Sequence, residues 1–239
     1  QVGIYATCTY FSTMIILPSR PLLKIASTLV AEAWKRGDME QISKLYTKST
    51  ITQSIIGLLV FAGIIVNIEN IFYIIPQNYK TGMWVILWIG LFYVSDMVSG
   101  LNNTILGASP KYKSLSVFTG ILIVAIILLN FIFIPLYGIT GAALASCIAK
   151  IAYNISTFFY LKSSYKLQPY SYKHIQILII ATISTLITYY LPHHSNILVN
   201  IIIKSSIVTI LYCTGIYILR VSDDVQELID SFLVKIKKR

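Results

Sequence analysis

Hydrophobic positions along this chain gather into long blocks, separated by short clusters that are polar and mostly basic. Blocks of about 18 residues or more, enough to cross bilayer hydrocarbon, fall at roughly 4–33, 50–68, 82–107, 114–135, 138–161, 174–191 and 197–219. That spacing predicts an all-α integral membrane protein with seven transmembrane helices. The first block contains Ile15–Lys24, IILPSRPLLK, where two prolines, an arginine and a lysine interrupt the apolar run. Pro18 and Pro21 have no amide hydrogen to give the carbonyls of Met14 and Leu17, which therefore need other partners. Broken helices persist at membrane depth only where protein or a water-filled space satisfies the freed backbone.

Composition points the same way. Of the 239 residues, 56% are apolar and only 12% charged, against about 25% charged in an average soluble domain. Gln1 is not a start methionine and no basic segment leads into a hydrophobic leader, so no signal peptide is expected. The chain is expected to begin inside something longer.

Placing the 19 Lys and Arg residues orients the blocks. One set of alternate connections holds Lys35, Arg36, Lys44 and Lys48, then Lys111 and Lys113, then Lys162, Lys166 and Lys173, and last Arg220, Lys235, Lys237, Lys238 and Arg239. The other set holds Lys80 alone. One missed or invented span would scramble this sorting. By the positive-inside rule the basic connections are cytoplasmic, the first residues outside and the tail inside. The net charge of +10 then belongs beside anionic lipid headgroups, and no nucleic-acid partner is expected. The tail from Ser222 reads as an interfacial amphipathic helix: Ser222 can cap it, acidic residues follow, and Val225, Leu228, Ile229, Phe232, Leu233 and Ile236 share a face.

Five charged side chains lie well inside the blocks: Arg20, Lys24, Asp96, Lys150 and Lys204. Each costs about 2.5–3.5 kcal/mol to insert, so such groups face a cavity or a partner. Arg20 and Lys24 are four apart and share a helix face, with Arg20 about 24 Å along its block if the segment stays helical. Basic charge and freed backbone on a wet face would suit an anionic substrate, whereas Lys24 could instead snorkel to the headgroups. Phe92, Asp96, Ser99, Gly100, Asn103 and Gly107 make one mixed stripe, and Ser146, Lys150, Tyr153, Asn154 and Thr157 make another. Such stripes suit a helix interface or a pathway lining. An Asp96–Lys150 pair would neutralise both charges; a protonatable Asp96 would instead serve ion coupling. Lys204, about seven residues into its block, is expected to snorkel.

Enzyme chemistry finds no footing in the residues. His174, His193 and His194 lie at block ends or loops without ligand-spaced partners, and no GxSxG, HExxH or P-loop pattern occurs. Cys8, Cys147 and Cys213 lie far apart in apolar surroundings and read as buried hydrophobes. No metal or other cofactor is expected. The NNT sequon at Asn102 lies within a block and carries no glycosylation meaning. Buried charges, a broken helix and stripes of small residues point to transport.

Several stretches together resemble one family. Val2–Ala6, VGIYA, a long proline-interrupted block and then Trp34–Asp38, WKRGD, resemble the opening of the C-terminal half of bacterial polysaccharide exporters. Asn130–Ala145, NFIFIPLYGITGAALA, is similar to them as well: Pro135 is expected to end one helix, Gly138 and Gly141 to make a tight return, and small residues to admit close packing. These are the lipopolysaccharide and O-antigen flippases of the multidrug/oligosaccharidyl-lipid/polysaccharide exporter superfamily. The resemblance, which runs over essentially the whole chain, implies the second lobe without its first helix (residues 1–162), the final helix pair (163–219) and a cytoplasmic tail (220–239) of a fourteen-helix fold. It implies a missing amino-terminal lobe of the same protein and a location in the bacterial inner membrane. Also implied is alternating-access flipping of an undecaprenyl-pyrophosphate-linked oligosaccharide, with Arg20, Lys24, Asn103 and Lys150 as candidate substrate ligands and Asp96 as an ion-coupling or ion-pair candidate. Two alternatives stand: an ion-coupled multidrug exporter of the same superfamily, disfavoured by net positive charge in the cavity, and a membrane-embedded polysaccharide polymerase, disfavoured by the short connections.

Overall fold

The Ile15–Lys24 interruption becomes a change of helix geometry. Helix α1 (Val2–Thr13) stops ahead of Pro18, and α2 (Ser19–Arg36) starts directly after it. Between them the backbone tightens to bonds three residues back: the Ile15 amide donates to Ser12 (3.1 Å), Ile16 to Thr13 (3.1 Å), Ser19 to Ile16 (3.1 Å) and Arg20 to Leu17 (3.3 Å). The Leu17 carbonyl, which Pro21 cannot serve, is thus taken by the Arg20 amide. Local 3₁₀ tightening is one of the routes by which proline-containing membrane helices regain their hydrogen bonds.

The computed structural model describes residues 1–192, 196–222 and 226–227. After α2 come α3 (Met39–Val66), α4 (Ile68–Ile74), α5 (Met83–Ser99), α6 (Asn102–Ala108), α7 (Lys113–Tyr137), α8 (Ile139–Tyr165), α9 (Tyr172–Tyr189) and α10 (Ile197–Ile218), with a 3₁₀ turn at Gln77–Gly82 ahead of α5. No strand forms among the described residues. Most of the tail beyond Ser222, with His193 and His194, lies outside them.

Five helical stretches among the described residues are long and apolar enough to cross a membrane: Met39–Val66, Tyr79–Ser99, Lys113–Tyr137, Ile139–Tyr165 and Ile197–Ile218. This fits a multi-pass membrane protein. The block at 4–33 instead divides into α1 and α2, and the block at 174–191 becomes the 18-residue α9, which carries Gln176, Thr182, Ser184, Thr185 and Thr188.

Helix α3 is the centre of the bundle, packing against α2, α5, α9 and α10. Asp38 caps it, its Oδ1 accepting from the Gln41 amide at 2.9 Å. The larger core joins Ile15, Ile55, Leu58, Ile86, Ile89, Met97, Ile177 and Tyr212. A second core, from Val30, Ala33, Ile42, Tyr46, Leu101, Ile105 and Leu161, ties α2 and the start of α3 to α6 and the end of α8. At that end Trp34 donates from Nε1 to the Ile105 carbonyl at 3.2 Å, its ring meets Tyr165 edge-on, and Lys111 Nζ donates to Ser164 Oγ at 3.3 Å. Basic connections therefore converge on one end of the bundle.

Helix α7 lies against α8 and buries none of its 25 residues. A helix that is apolar all round yet uncovered by protein belongs against lipid. It runs to Tyr137, two residues past Pro135, where the sequence placed its end. Closure falls to the Gly138 amide, which donates to the Ile134 carbonyl at 2.8 Å. Gly138 then takes φ 57°, ψ −133°, a region that is essentially glycine's alone. One turn later a Cβ on Gly141 would overlap the Phe133 carbonyl, so the bare backbone is what lets α8 sit on α7.

Gly141→Val should therefore destabilise the bundle by about 1–3 kcal/mol through overpacking, read as a lower thermal unfolding midpoint in detergent. Gly120→Ala on α7, where a Cβ meets open space, should not lower the midpoint, since alanine is the better helix former.

Candidate functional site

The two polar stripes of the sequence meet face to face where α5 packs against α8. Lys150 Nζ stands 2.8 Å from Asp96 Oδ1, with side-chain exposures of 10% and 30%. The ammonium also lies 5.0 Å from the Tyr153 ring centroid and 5.5 Å from that of Phe92. Aromatic faces attract a desolvated cation, so three groups hold this one lysine. Below the pair, Tyr153 donates its hydroxyl to Asn103 Oδ1 at 2.7 Å. Asn154 Nδ2 donates to Ser95 Oγ at 3.0 Å.

Asn102 is the hub of the seam. Its Nδ2 donates to the Asn154 carbonyl and to Thr157 Oγ1, each at 3.3 Å, and its Oδ1 accepts from the Tyr46 hydroxyl of α3. Asn102 is 1% exposed and Tyr46 fully buried. Neither stands out in the sequence: one continuous helix over 82–107 puts Asn103 on the Asp96 face and Asn102 beside it, and Tyr46 lies between blocks. The chain instead breaks at Gly100, φ 58°, where a Cβ would run into Thr50 of α3. This break between α5 and α6 resets the helical phase, and both asparagines find partners. The available signal was the Ser-Gly-Leu-Asn-Asn run itself, in which a glycine precedes two poor helix formers.

Beside the seam, α5 and α8 enclose an open groove of about 360 Å³, lined by Ser95, Ser99, Asn154 and Tyr170 among apolar residues. Asn154 Oδ1 is buried there without a hydrogen-bond partner. The groove offers a largely apolar wall with an unused acceptor, and the neighbouring charges have already neutralised each other.

Arg20 and Lys24 stand apart from this cluster. Both are exposed on α2, and no hydrogen bond or ion pair of the described residues reaches either charged group. Lys204 departs from its expected snorkelling: it is 2% exposed, with Nζ 5.9 Å from the Tyr189 ring centroid. It sits one turn from Asn200, whose Nδ2 donates to Asn70 Oδ1 at 2.9 Å. Asn70 in turn donates to Asn67 Oδ1 at 3.2 Å, and Asn67 to Ser205 Oγ at 3.0 Å. This second polar ladder ties α10 to the α3–α4 corner; its asparagines were not sequence candidates. Among the described residues no cluster of His, Cys, Asp or Glu could hold a metal ion.

No protein-family model matches the chain, and comparisons with curated proteins and with solved structures return no match.

The pair can be weighed by a double-mutant cycle. Asp96→Asn strands a mostly buried ammonium and should cost about 1–3 kcal/mol, the partial exposure of Asp96 softening the penalty of a fully buried pair. Adding Lys150→Met should recover most of that loss in thermal unfolding. If the double variant is as unstable as the two single losses combined, Asp96 and Lys150 do not act as a pair.

Proposed function

We propose that this chain is the carboxy-terminal half of a carrier that flips undecaprenyl-pyrophosphate-linked oligosaccharide across the bacterial cytoplasmic membrane, for surface polysaccharide assembly. The observation that carries the reading is the state of Arg20 and Lys24. They are exposed cations one helical turn apart, immediately after a proline-tightened junction, on a surface this chain leaves uncovered. Like charges at that spacing repel and gain nothing from the helix. A diphosphate would relieve both, and a guanidinium can engage it by two parallel hydrogen bonds.

On this reading α1 with α2, and α9, also cross the bilayer. At 1.5 Å per residue the 18 residues of α9 reach about 27 Å, close to the hydrocarbon thickness. The seven spans of this half would face the six of an amino-terminal lobe, the second lobe's first helix completing the fourteen, with Arg20 and Lys24 on the wall between the lobes. The Asp96–Lys150 pair and the Asn102 hub hold α5, α6 and α8 as one body, which suits a lobe that rocks as a unit. Lys150 and Asn103, engaged by Asp96 and Tyr153, then meet sugar hydroxyls only by exchanging those bonds. The multidrug alternative calls on Asp96 for ion coupling, and that carboxylate is already engaged by Lys150.

In the complete carrier, Arg20→Ala should reduce export of the lipid-linked glycan by roughly tenfold or more, with Arg20→Lys intermediate because the bidentate fork is lost but the charge is kept. Normal flipping by Arg20→Ala, at wild-type protein levels in the membrane, would remove Arg20 as a pyrophosphate ligand.

A further inference from the structure

At the basic end of the bundle lies a second feature that the transport reading does not use. The start of α3, the start of α9 and the residues following α10 enclose an open cavity of about 430 Å³. Lys44 and Lys48 enter it from α3 and Lys173 from α9, while the Thr47 and Ser222 hydroxyls add hydrogen-bonding groups to its wall. Ile51 and Val221 give it an apolar floor. Lys44 also lies 2.6 Å from Glu40 on a largely exposed face, where an ion pair is worth little.

We infer that this cavity holds the phosphate headgroup of an anionic membrane lipid, whose binding ties the α9–α10 pair to α3. Three lysines converging on one small volume, with hydroxyls between them, form an anion cradle. Its position decides which anion. From Lys44 to Ile51 the cavity descends about 10 Å along α3, from the charged start of the helix to a buried isoleucine of the larger apolar core. A headgroup at that level places its acyl chains beside hydrocarbon. Beyond Lys173 the exposed Ile175 and Leu178 continue α9 as an apolar surface that such chains can cover. Tyr172, exposed next to Lys173, is the amphipathic residue type found at the membrane–water boundary. Basic pockets between helices at this level are a recurring mode of anionic-lipid recognition. The inference holds whatever cargo the carrier moves.

The test uses the full 239-residue chain purified in detergent and titrated with phosphatidylglycerol, cardiolipin, phosphatidylcholine or inorganic phosphate. Retained lipid is read by native mass spectrometry, and the thermal midpoint is followed in parallel. Phosphatidylglycerol and cardiolipin should be retained and should raise the midpoint; phosphatidylcholine and inorganic phosphate should do neither. Lys48→Gln with Lys173→Gln should weaken retention of the anionic lipids by about ten- to thirtyfold, at roughly a factor of five per lysine. Lys111→Gln with Lys113→Gln removes two charges from the same end but away from the cavity, and should leave retention as it was. Equal retention by the cavity variant, an equal loss in the control variant, or equal protection by inorganic phosphate would each overturn the assignment. So would anionic-lipid binding that appears only in Asp223→Asn with Asp224→Asn, since the chain's own carboxylates would then be the occupant.

Discussion

A carboxylate and an ammonium can enter an apolar helix bundle together only if each answers the other's charge, and the contact between Asp96 and Lys150 imposes that condition on α5 and α8. Sliding one helix past the other by a turn, 5.4 Å, would separate the ions and would also pull Asn103 from Tyr153 and Asn154 from Ser95. Apolar side chains tolerate such slippage far better, because dispersion is not directional. The seam therefore fixes register more than it adds stability, the best-attested use of buried polar groups. Much of the bundle inherits that register: α7 is placed by its contact with α8, α1 by its contact with α5, and α3 by the Tyr46 hydroxyl on Asn102.

The same condition sorts most of the cations among the described residues. Lys150 is held by a carboxylate and two rings, and Lys204 is enclosed beside Tyr189. The lysines at the basic end sit where water and headgroups can solvate them. Arg20 and Lys24 fit neither class, being exposed within an apolar block without a partner among the described residues. Two such charges would together cost about 5–7 kcal/mol in hydrocarbon, a large fraction of a domain's net stability. A chain that keeps both must place them against water or an anion.

Membrane character, helical class and the α5–α8 contact were legible in the sequence because they depend on local pattern. Eighteen-residue apolar blocks and polar stripes at helical spacing survive the loss of all three-dimensional information. Asp96 and Lys150 were visible as possible partners because Asp96 is the one carboxylate deep within a block and each sits on a polar stripe at helical spacing. Features that depend on phase were not legible. The break at Gly100 shifts everything after it, so Asn102 became the hub while periodicity had favoured Asn103 alone. Lys204 was misplaced for a related reason: distance from a block's end sets whether a lysine can reach water, but the packing of α10 against α3 and α9 decides which way it points. At the first block the prolines announced an interruption, and the chain met it with a tight 3₁₀ junction rather than an open gap.

That junction links geometry to the proposed chemistry. Had the backbone stayed open at Met14–Pro18, its freed carbonyls would have placed partial negative charge beside Arg20 and lowered the local attraction for an anion. With the Leu17 carbonyl taken by the Arg20 amide, the side-chain cations become the dominant field at the start of α2. Pro18 fixes φ just before the helix begins and Pro21 falls in its first turn, where a missing amide hydrogen costs least. A guanidinium at that turn and an ammonium one turn later present two like charges on one exposed face, and the group they would attract most strongly is a multiply charged anion such as a diphosphate.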